Sequence, residues 1–367
     1  MRKTTSDLEQ HLEELAQTSQ PGDRLPTIRD LMRRFGLSQM VVQRVLQDLK
    51  DRGLIDSQVG RGTYFQAAGT NAPAASRATK PSSTRSILLL RRSISITRGR
   101  VLLERLQQRF AADGHRVLEV SYTDPEHART VLKGLPRLDA CVIQSSFKTI
   151  TIDLLHALRE KTEVLAVDGA ALVGADIEAV GMEWGEPLAA AVALLHAQGH
   201  RRIAYATTAH HFLATQLGLR RFDDLQRSQA DLTLSSIQVP HLPDADYAST
   251  LVDLIQAQLA PSGRPPFTAL VAWGIEDGAQ FRTLLANIGL TVPKSLSVVL
   301  LGRTDLPNEH ADFFDTVGCS VTDQVECLYE AINARWKSPA REYGIRLIPV
   351  SSRAGASVAP VKPGRNA

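Results

Sequence analysis

Glutamine and arginine side chains cluster on one face of a short predicted helix, residues 39–52. The apolar residues of this segment recur at helical spacing, so they should face a core while the polar residues face solvent. Glutamine can pair with N6 and N7 of adenine, and arginine can pair with guanine or with phosphate. The outer face therefore suits contacts to DNA bases, and it consists of Met40, Gln43, Arg44 and Gln47, with Gln39 at its edge.

Further polar groups near this helix could hold the DNA backbone. Arg29 and Arg33 lie on the preceding predicted helix, and Arg61 lies at the tip of a glycine-rich hairpin. Guanidinium groups at such places meet phosphates or the minor groove, and the helix N-terminus beside Ser38 suits a phosphate. A single glutamine or arginine is usually ordinary solvated surface, so the prediction depends on the combined order of the elements.

Three predicted helices and a hairpin position these side chains. After a first helix at residues 7–17, a threonine-capped helix at 28–35 ends at Gly36 and is followed almost at once by the helix at 39–52. Two short helices joined by so tight a turn form a helix-turn-helix. Residues 54–66 alternate around a Gly-Arg-Gly tip, which predicts a β-hairpin, or wing.

The run PGDRLPTIRDLMRRFGLSQMVVQRVLQDLKDRGLIDSQVGRGTYF resembles the GntR-type winged-helix DNA-binding domain. The resemblance covers residues 7–66 almost without gaps. It implies DNA contacts from an arginine on the second helix, from the start of the third helix and from the wing. The positions that match are Arg29, Ser38, Arg61, Gly62 and Thr63.

The resemblance fails at three positions of the third helix. Gln39 and Gln43 stand where the family usually has arginine, and Val41 stands where it usually has threonine. DNA binding is still implied, but the base preferences of the family do not transfer. Fewer cationic contacts also predict a weaker dependence of DNA affinity on salt.

Short apolar runs alternate with amphipathic segments through most of the remaining chain. This alternation predicts parallel sheets covered by helices on both faces, and about 260 residues suggest two α/β lobes. The predicted strands are 86–90, 116–122, 139–144, 163–168, 201–207, 268–273 and 295–301. The predicted helices are 100–113, 124–134, 150–160, 185–198, 245–259 and 276–288.

Residues 87–350 resemble the effector-binding domain of LacI/GalR-type repressors, which is similar to periplasmic sugar-binding proteins. The resemblance rests on AVDGAALVGADIEAVGMEW, on QGHRRIAYAT and on FTALVAWGIEDGAQFRTLLANIGLTVPKSLSVVLLG. The expected fold class is therefore α/β: an N-terminal winged helix-turn-helix plus a two-lobed periplasmic-binding-protein-like domain whose parallel sheets are flanked by helices.

An effector in such a fold binds between the lobes, at the carboxyl ends of the strands. Trp273 could stack on an apolar ring face and Asp168 could accept hydroxyl protons, although both positions fit a core role equally well. The histidines His210 and His211 fit ordinary loop positions better. The predicted effector-binding residues are Ser93, Ser95, Ser145, Phe147, Asp168, Trp273, Glu276, Arg303 and Asp305, with Ser146 beside them.

This chain departs from the LacI/GalR pattern where the family usually holds sugars. An arginine is replaced at Thr215-Gln216, and an Asn-Asp pair is replaced at Ile275-Glu276. The family's Gly-Phe-Asp-Asp becomes Gly302-Arg303-Thr304-Asp305. The effector could thus be an unusual sugar, another small molecule, or absent.

Composition sets the expected domain boundaries. Residues 67–86 are rich in Ala, Ser, Thr and Pro and contain no large apolar residue, so they predict a flexible linker between residues 1–66 and 87–350. Residues 351–367 predict a disordered tail for the same reason. The net charge is only +3, so a DNA partner requires a local basic patch.

The start of the chain has no apolar segment typical of a secretory signal, and no apolar run is long enough to cross a membrane. The three cysteines form no CxxC pair and suit small buried residues in a reducing compartment. We therefore expect a cytoplasmic protein with no cofactor, no metal and no membrane partner.

The leading hypothesis is a sequence-specific transcriptional regulator, expected to repress, that is controlled by a small-molecule effector such as a sugar. Its partners would be a double-stranded DNA operator and a second copy of the chain, because a homodimer places two winged helices on a pseudo-palindromic operator. One alternative is a pyridoxal-phosphate-dependent enzyme with a DNA-binding head, although catalytic motifs are missing. The other is a solute-binding protein.

Overall fold

A computed structural model describes residues 5–19, 23–51, 55–58, 62–65, 84–93, 97–144, 150–169, 175–243, 246–306 and 312–361. The chain divides into two compact units, Met1–Lys80 and Pro81–Ala367.

The first unit is a three-helix fold with a two-stranded hairpin. Its elements are α1 (Thr5–Thr18), α2 (Ile28–Phe35), α3 (Gln39–Asp51), β1 (Ile55–Gln58) and β2 (Gly62–Phe65). The Thr27 side chain accepts a hydrogen bond from the Asp30 amide, and Gly36 ends α2 with a φ of 67°, a left-handed conformation that favours glycine. The predicted order of capped helix, tight turn, helix and hairpin is confirmed in these ranges.

One small core holds the first unit together. The helical spacing of the apolar residues brings one face of each helix to this core, and the hairpin closes it, with Ile55 directly opposite Phe65. The segment before α2 joins the hairpin, because the Leu25 amide donates to the Thr63 carbonyl at 2.7 Å. The buried side chains are Leu8, Leu12, Leu25, Leu31, Phe35, Val42, Val45, Leu49, Ile55 and Phe65.

The second unit contains two sheets, which define lobe 1 and lobe 2. The lobe 1 elements are β3 (Ser86–Arg92), α4 (Thr97–Ala112), β4 (Arg116–Tyr122), α5 (Pro125–Gly134), β5 (Leu138–Gln144), α6 (Ile152–Lys161), β6 (Thr162–Asp168) and β7 (Glu178–Gly181). The lobe 2 elements are α7 (Glu186–Ala197), β8 (Arg202–Thr208), α8 (Leu213–Ser228), β9 (Thr233–Val239), α9 (Tyr247–Gln256), β10 (Ala269–Trp273), α10 (Gly278–Asn287), β11 (Ser297–Arg303) and β12 (Asp315–Cys319). The chain then returns to lobe 1 with α11 (Val321–Lys337) and β13 (Ile345–Leu347) and ends in lobe 2 with β14 (Ser351–Arg353).

Within the described residues each sheet has six strands. The strand order is β13-β7-β6-β5-β3-β4 in lobe 1 and β14-β12-β11-β10-β8-β9 in lobe 2, and all neighbours are parallel except β14 with β12. Helices cover both faces of each sheet, which explains why Ile87 to Leu90 are all fully buried. Each predicted strand and helix of this unit is present, with bounds that differ by a few residues.

The chain passes between the lobes at three places in the described part, at residues 182–185, 320 and 348–350. As a result, α11 begins at the end of a lobe 2 strand and packs on the lobe 1 sheet, where Val321, Val325 and Leu328 join its core. This crossing brings side chains of both lobes together at the carboxyl ends of the strands.

The predicted disordered tail is wrong for residues 351–361. The strand β14 pairs with β12, and beyond it the fully buried Ser357 donates from its hydroxyl to the Val298 carbonyl at 2.6 Å. The Ser357 amide also donates to Asp315. The segment has few large apolar residues, so composition favoured disorder, but backbone and hydroxyl hydrogen bonds fix it against lobe 2.

The predicted linker falls mostly outside the described residues, apart from its last three. Ser86 already belongs to β3, and its amide and hydroxyl both bond to Asp139. Arg85 forms ion pairs with Asp139 and Glu163 and lies over the Trp336 ring at 4.6 Å. The second domain therefore begins before residue 87, because these contacts tie the entering chain to lobe 1.

Candidate functional site

Two glutamines of the predicted outer face of α3 are exposed. Gln39 and Gln43 are exposed, whereas Val42, Val45 and Leu49 on the opposite face are buried. Glutamine amides on such a face can form paired hydrogen bonds with adenine. The side chains of Met40, Arg44 and Gln47 lie outside the described residues.

The predicted backbone contacts surround α3. Arg29, Arg33 and Ser38 are exposed at α2 and at the start of α3, while Thr63 is half-buried in the hairpin. Gly62 opens β2 opposite Gln58, and the wing-tip residue Arg61 lies outside the described residues. These residues remain predicted DNA-binding residues.

Asp30 adds a negative charge to the first turn of α2. The Thr27 hydroxyl donates to its carboxylate at 2.6 Å, and this bond, with the Thr27 amide and the nearby Arg33 and Arg29, lowers the pKa of Asp30 despite partial desolvation. A negatively charged side chain in the first turn interacts favourably with the helix dipole and stabilises the helix. The cap therefore fixes the start of the helix that carries Arg29 and Arg33.

A polar cluster lies where the carboxyl ends of the two sheets meet. Asp168 ends β6, and its carboxylate accepts hydrogen bonds from the amides of Gln324 in α11 and Gln144 at the end of β5. Burial raises the pKa of Asp168 to about 6, against the opposing effects of Arg303 and Gln144. The structure thus places Asp168 at the junction of the lobes, with its carboxylate already hydrogen-bonded.

Arg303 and Cys319 bring lobe 2 to the same cluster. They end the adjacent strands β11 and β12, and Arg303 Nη1 donates to Cys319 Sγ at 2.6 Å. Burial raises the pKa of the Cys319 thiol, although Arg303 opposes this shift. Arg303 therefore faces a neutral sulfur and lies close enough to Asp168 to influence its ionisation.

Asp305 occupies a different role from the predicted one, because its carboxylate caps α11. It accepts the Val321 amide at 2.7 Å, the Thr322 amide at 2.9 Å and the Thr322 hydroxyl at 2.7 Å. Arg105 of lobe 1 pairs with it at 3.1 Å, and the Ser320 hydroxyl also donates to it. Partial burial opposes ionisation, but these donors hold the pKa of Asp305 well below its usual range.

Aromatic side chains surround Trp273 at the end of β10. The half-buried Trp273 ring lies 5.9 Å from the Phe212 ring and 6.2 Å from the Tyr247 ring, measured between centroids. Tyr247 is fully buried, and burial raises the pKa of its hydroxyl. Trp273 is therefore part of the lobe 2 packing. The exposed part of its ring lies at the carboxyl end of β10.

The other predicted effector residues are less defined. Glu276 is half-buried, Ser93 is exposed with its amide donating to the Tyr122 carbonyl, and His211 is exposed. His210 bonds to the Pro240 carbonyl, as an ordinary loop residue would. The predicted residues Ser95, Ser145, Ser146 and Phe147 lie outside the described residues.

Four residues are absent from the predicted site: Gln144, Cys319 and Gln324 at this junction, and Arg92 at the carboxyl end of another lobe 1 strand. Arg92 ends β3, is only 9% exposed and donates to the Thr123 carbonyl. Gln144 is the last residue of the predicted strand 139–144, so its position was a usable signal. To predict Gln324 as a site residue, α11 had to be predicted first. The helical spacing of Val321, Val325, Leu328 and Ile332 could have indicated that helix.

Within the described residues, no helix is both long and apolar enough to span a membrane. The same part of the chain contains no group of three or more His, Cys, Asp or Glu side chains able to hold a metal ion.

Comparison with known protein families gives two matches. Residues 4–65 match the family of bacterial regulatory proteins, gntR family, and residues 192–313 match the periplasmic binding protein-like domain. A curated relative, the uncharacterized HTH-type transcriptional regulator YjiR of Escherichia coli (strain K12), is 30% identical over 159 residues. That match covers 42% of this chain and 31% of the relative, so the chain spans about a third of the relative's length.

Solved structures match the second unit. A LacI family transcriptional regulator from Enterococcus faecium with bound ribose has a TM-score of 0.61 at 14% identity, covering 76% of this chain and 100% of that one. The Escherichia coli transcriptional repressor ascG has a TM-score of 0.60 at 15% identity, covering 75% of this chain and 100% of that one. At these identities the likeness concerns the fold. The chain thus carries a GntR-type helix-turn-helix domain at its N-terminus, followed by a two-lobed periplasmic-binding-protein-like domain with the fold of LacI-family regulators.

Proposed function

We propose that this chain is a sequence-specific DNA-binding transcriptional regulator whose second domain binds a small-molecule effector. The observation that carries the proposal is the exposure of Gln39 and Gln43 on α3, opposite the buried Val42, Val45 and Leu49, in a domain of the GntR type. A helix anchored in this way can enter the major groove without disturbing its own core.

In this proposal the second domain controls DNA binding by the first. The lobes of the second domain meet where Arg105 of lobe 1 pairs with Asp305 of lobe 2 and where Arg303 of lobe 2 lies near Asp168 of lobe 1, so a ligand bound at these strand ends would touch both lobes. A ligand that prefers one arrangement of the lobes shifts the population of that arrangement. A sugar is one candidate ligand, since a relative of this fold was solved with ribose.

We further propose that the protein acts as a homodimeric repressor on a pseudo-palindromic operator. A single α3 reads one half-site, and two copies related by two-fold symmetry read both. Sedimentation of the protein–operator complex measures this stoichiometry. One copy per operator would contradict the dimer.

The two alternative functions have less support. A solute-binding protein shares the two-lobed fold but has no use for the N-terminal helix-turn-helix. The pyridoxal-phosphate enzyme gains no support from the fold of residues 84–361, which resembles LacI-family regulators.

The test is selection of DNA duplexes from a random pool by the full chain, followed by fluorescence anisotropy on the selected sequence. We expect Gln43→Ala to weaken binding about fivefold or more, since a paired base contact contributes about 1–3 kcal/mol of discrimination. Gln10→Ala is the control, because Gln10 is an exposed glutamine on α1 bonded to Glu14. Recovery of no preferred sequence at moderate salt would refute the proposal.

A further inference from the structure

Arg303 has no carboxylate at ion-pair distance in the part of the chain that the structure describes, although its charge acts on the nearby Asp168. It is half-buried at the end of β11, and its recorded hydrogen bond is to the sulfur of Cys319. The contrast with Arg105 is direct, since Arg105 pairs with Asp305 at 3.1 Å at the same junction. A half-buried guanidinium without a carboxylate in contact favours binding an anion from outside.

The thiol beside Arg303 does not neutralise it. Cys319 is 1% exposed, and burial raises the pKa of its thiol, so the sulfur stays protonated. A neutral thiol is a weak acceptor for a guanidinium, whereas a carboxylate or phosphate can accept two parallel hydrogen bonds.

Gln324 presents an unmatched acceptor to the same cluster. Its side-chain nitrogen donates to Asp168, which fixes the orientation of the amide. The oxygen Oε1 is buried and has no hydrogen-bond partner in the described part of the chain, and the residue is only 3% exposed. A buried acceptor left unpaired costs free energy, so this oxygen suits a hydroxyl or amine donor on a bound molecule.

Two carboxylates of this cluster, Asp305 and Asp168, already accept hydrogen bonds from the protein. Asp305 accepts four hydrogen bonds from Ser320, Val321 and Thr322 and also pairs with Arg105. Asp168 accepts from Gln144 and Gln324. Among the described residues of this cluster, the guanidinium of Arg303 and the amide oxygen of Gln324 remain for a ligand, which fits an acid better than a neutral sugar.

From this geometry we infer that the effector is a small acid whose carboxylate or phosphate binds Arg303 and whose neighbouring hydroxyl or amine donates to Gln324. This inference rests on the proposed effector-binding role of the second domain and names the chemical class of the ligand. The raised pKa of Asp168, about 6, supports it, because this carboxyl takes up a proton more readily than an ordinary aspartate when an anion approaches.

The test uses pairs of compounds that differ in one acidic group: glucose and glucuronate, galactose and galacturonate, and ribose and ribose 5-phosphate. Binding to the full chain is measured by thermal shift and by calorimetric titration. We expect at least one acid to bind about tenfold or more tightly than its neutral partner, as a charge-assisted contact implies.

Three variants assign the preference to Arg303. Arg303→Gln should bring each pair to within about twofold, and Arg303→Lys should retain part of the preference for the acid because the charge remains. Arg227→Gln is the control, since Arg227 is an exposed arginine near the end of α8 that pairs with Asp224. It should leave the preference unchanged.

Neutral compounds that bind as tightly as their acids would overturn the inference. So would an acid preference that survives in Arg303→Gln, or a chain that retains DNA but binds no acid of the panel at millimolar concentration. An acid that binds through Arg303 without changing DNA retention would instead support the inference and contradict effector control by the second domain.

Discussion

A buried ion pair fixes α11 to the lobe 1 sheet and provides the sharpest stability prediction. Glu178 in β7 is 1% exposed and Arg335 in α11 is 4% exposed. Arg335 donates to Glu178 Oε1 from Nη2 at 2.6 Å and from Nε at 3.1 Å. Arg341 approaches the other oxygen, Oε2, at 3.4 Å. Both charges are thus removed from water and depend on one another.

Glu178→Gln removes the negative charge but keeps the shape of the side chain. Removal of one partner of a buried pair leaves an uncompensated charge and costs about 3–5 kcal/mol of unfolding free energy. For a domain of this size, each kcal/mol lowers the melting temperature by about 2–4 °C, so we expect a loss of roughly 6–20 °C. Differential scanning calorimetry of the full chain measures this shift.

The control is an exposed pair on the same helix. Glu330 pairs with Arg346 at 3.6 Å, and its side chain is 65% exposed. Exposed pairs contribute about 0–1 kcal/mol, so Glu330→Gln should barely change the melting temperature.

A double variant separates the cost of an unpaired charge from the loss of packing. Replacement of both Glu178 and Arg335 by methionine leaves neither buried charge of the pair, so it should lose less stability than the sum of the single replacements. A Glu178→Gln shift no larger than that of Glu330→Gln, or an additive double variant, would refute this reasoning.

Three further predictions concern other parts of the molecule. Arg29→Ala should weaken operator binding similarly across sequences and reduce the slope of log affinity against log salt by about 1, measured by anisotropy; an unchanged slope would exclude a phosphate contact. Gly318→Ala should unfold lobe 2 at temperatures where the wild type is folded, because an added Cβ would lie 1.7 Å from the Gly302 carbonyl oxygen, and a wild-type melting curve would contradict that geometry. Asp305→Asn should lower stability at pH 7; since the folded pKa of Asp305 lies well below the ordinary value of 3.8, its stabilisation is lost on acidification, and the difference from wild type should begin to shrink below about pH 4 and continue to shrink as the pH falls towards the folded pKa. A difference that grows on acidification would reverse the assigned sign.

Local patterns in the sequence predict the secondary structure well because local physics controls it. The caps and helical spacing of residues 27–51 and the run Ile87–Leu90 each specify an element whatever the rest of the chain does. The prediction of a disordered tail was wrong for residues 351–361 because contacts with residues distant in the chain order this segment. Ser357 bonds to Val298 and Asp315, which are 59 and 42 residues away in the chain.

The candidate site likewise contains residues that local sequence predicts and residues that only long-range contacts place. Asp168 and Arg303 could be named from sequence because each follows an apolar run that predicts a strand, and strand ends are where ligands bind in this fold class. The capping role of Asp305 could not be named, because it depends on the start of α11. A carboxylate in a loop gives no local sign of which amides it will meet.

The sequence by itself determined the N-terminal helix-turn-helix, its exposed glutamines and the alternation of strands and helices, because caps, spacing and apolar runs act over a few residues. Tertiary structure alone decided which polar groups meet at the junction of the lobes. Gln324 reaches Asp168 across 156 residues, and Arg105 reaches Asp305 across 200. Such pairings follow from the return of α11 to lobe 1, and no short stretch of sequence encodes the position of that helix.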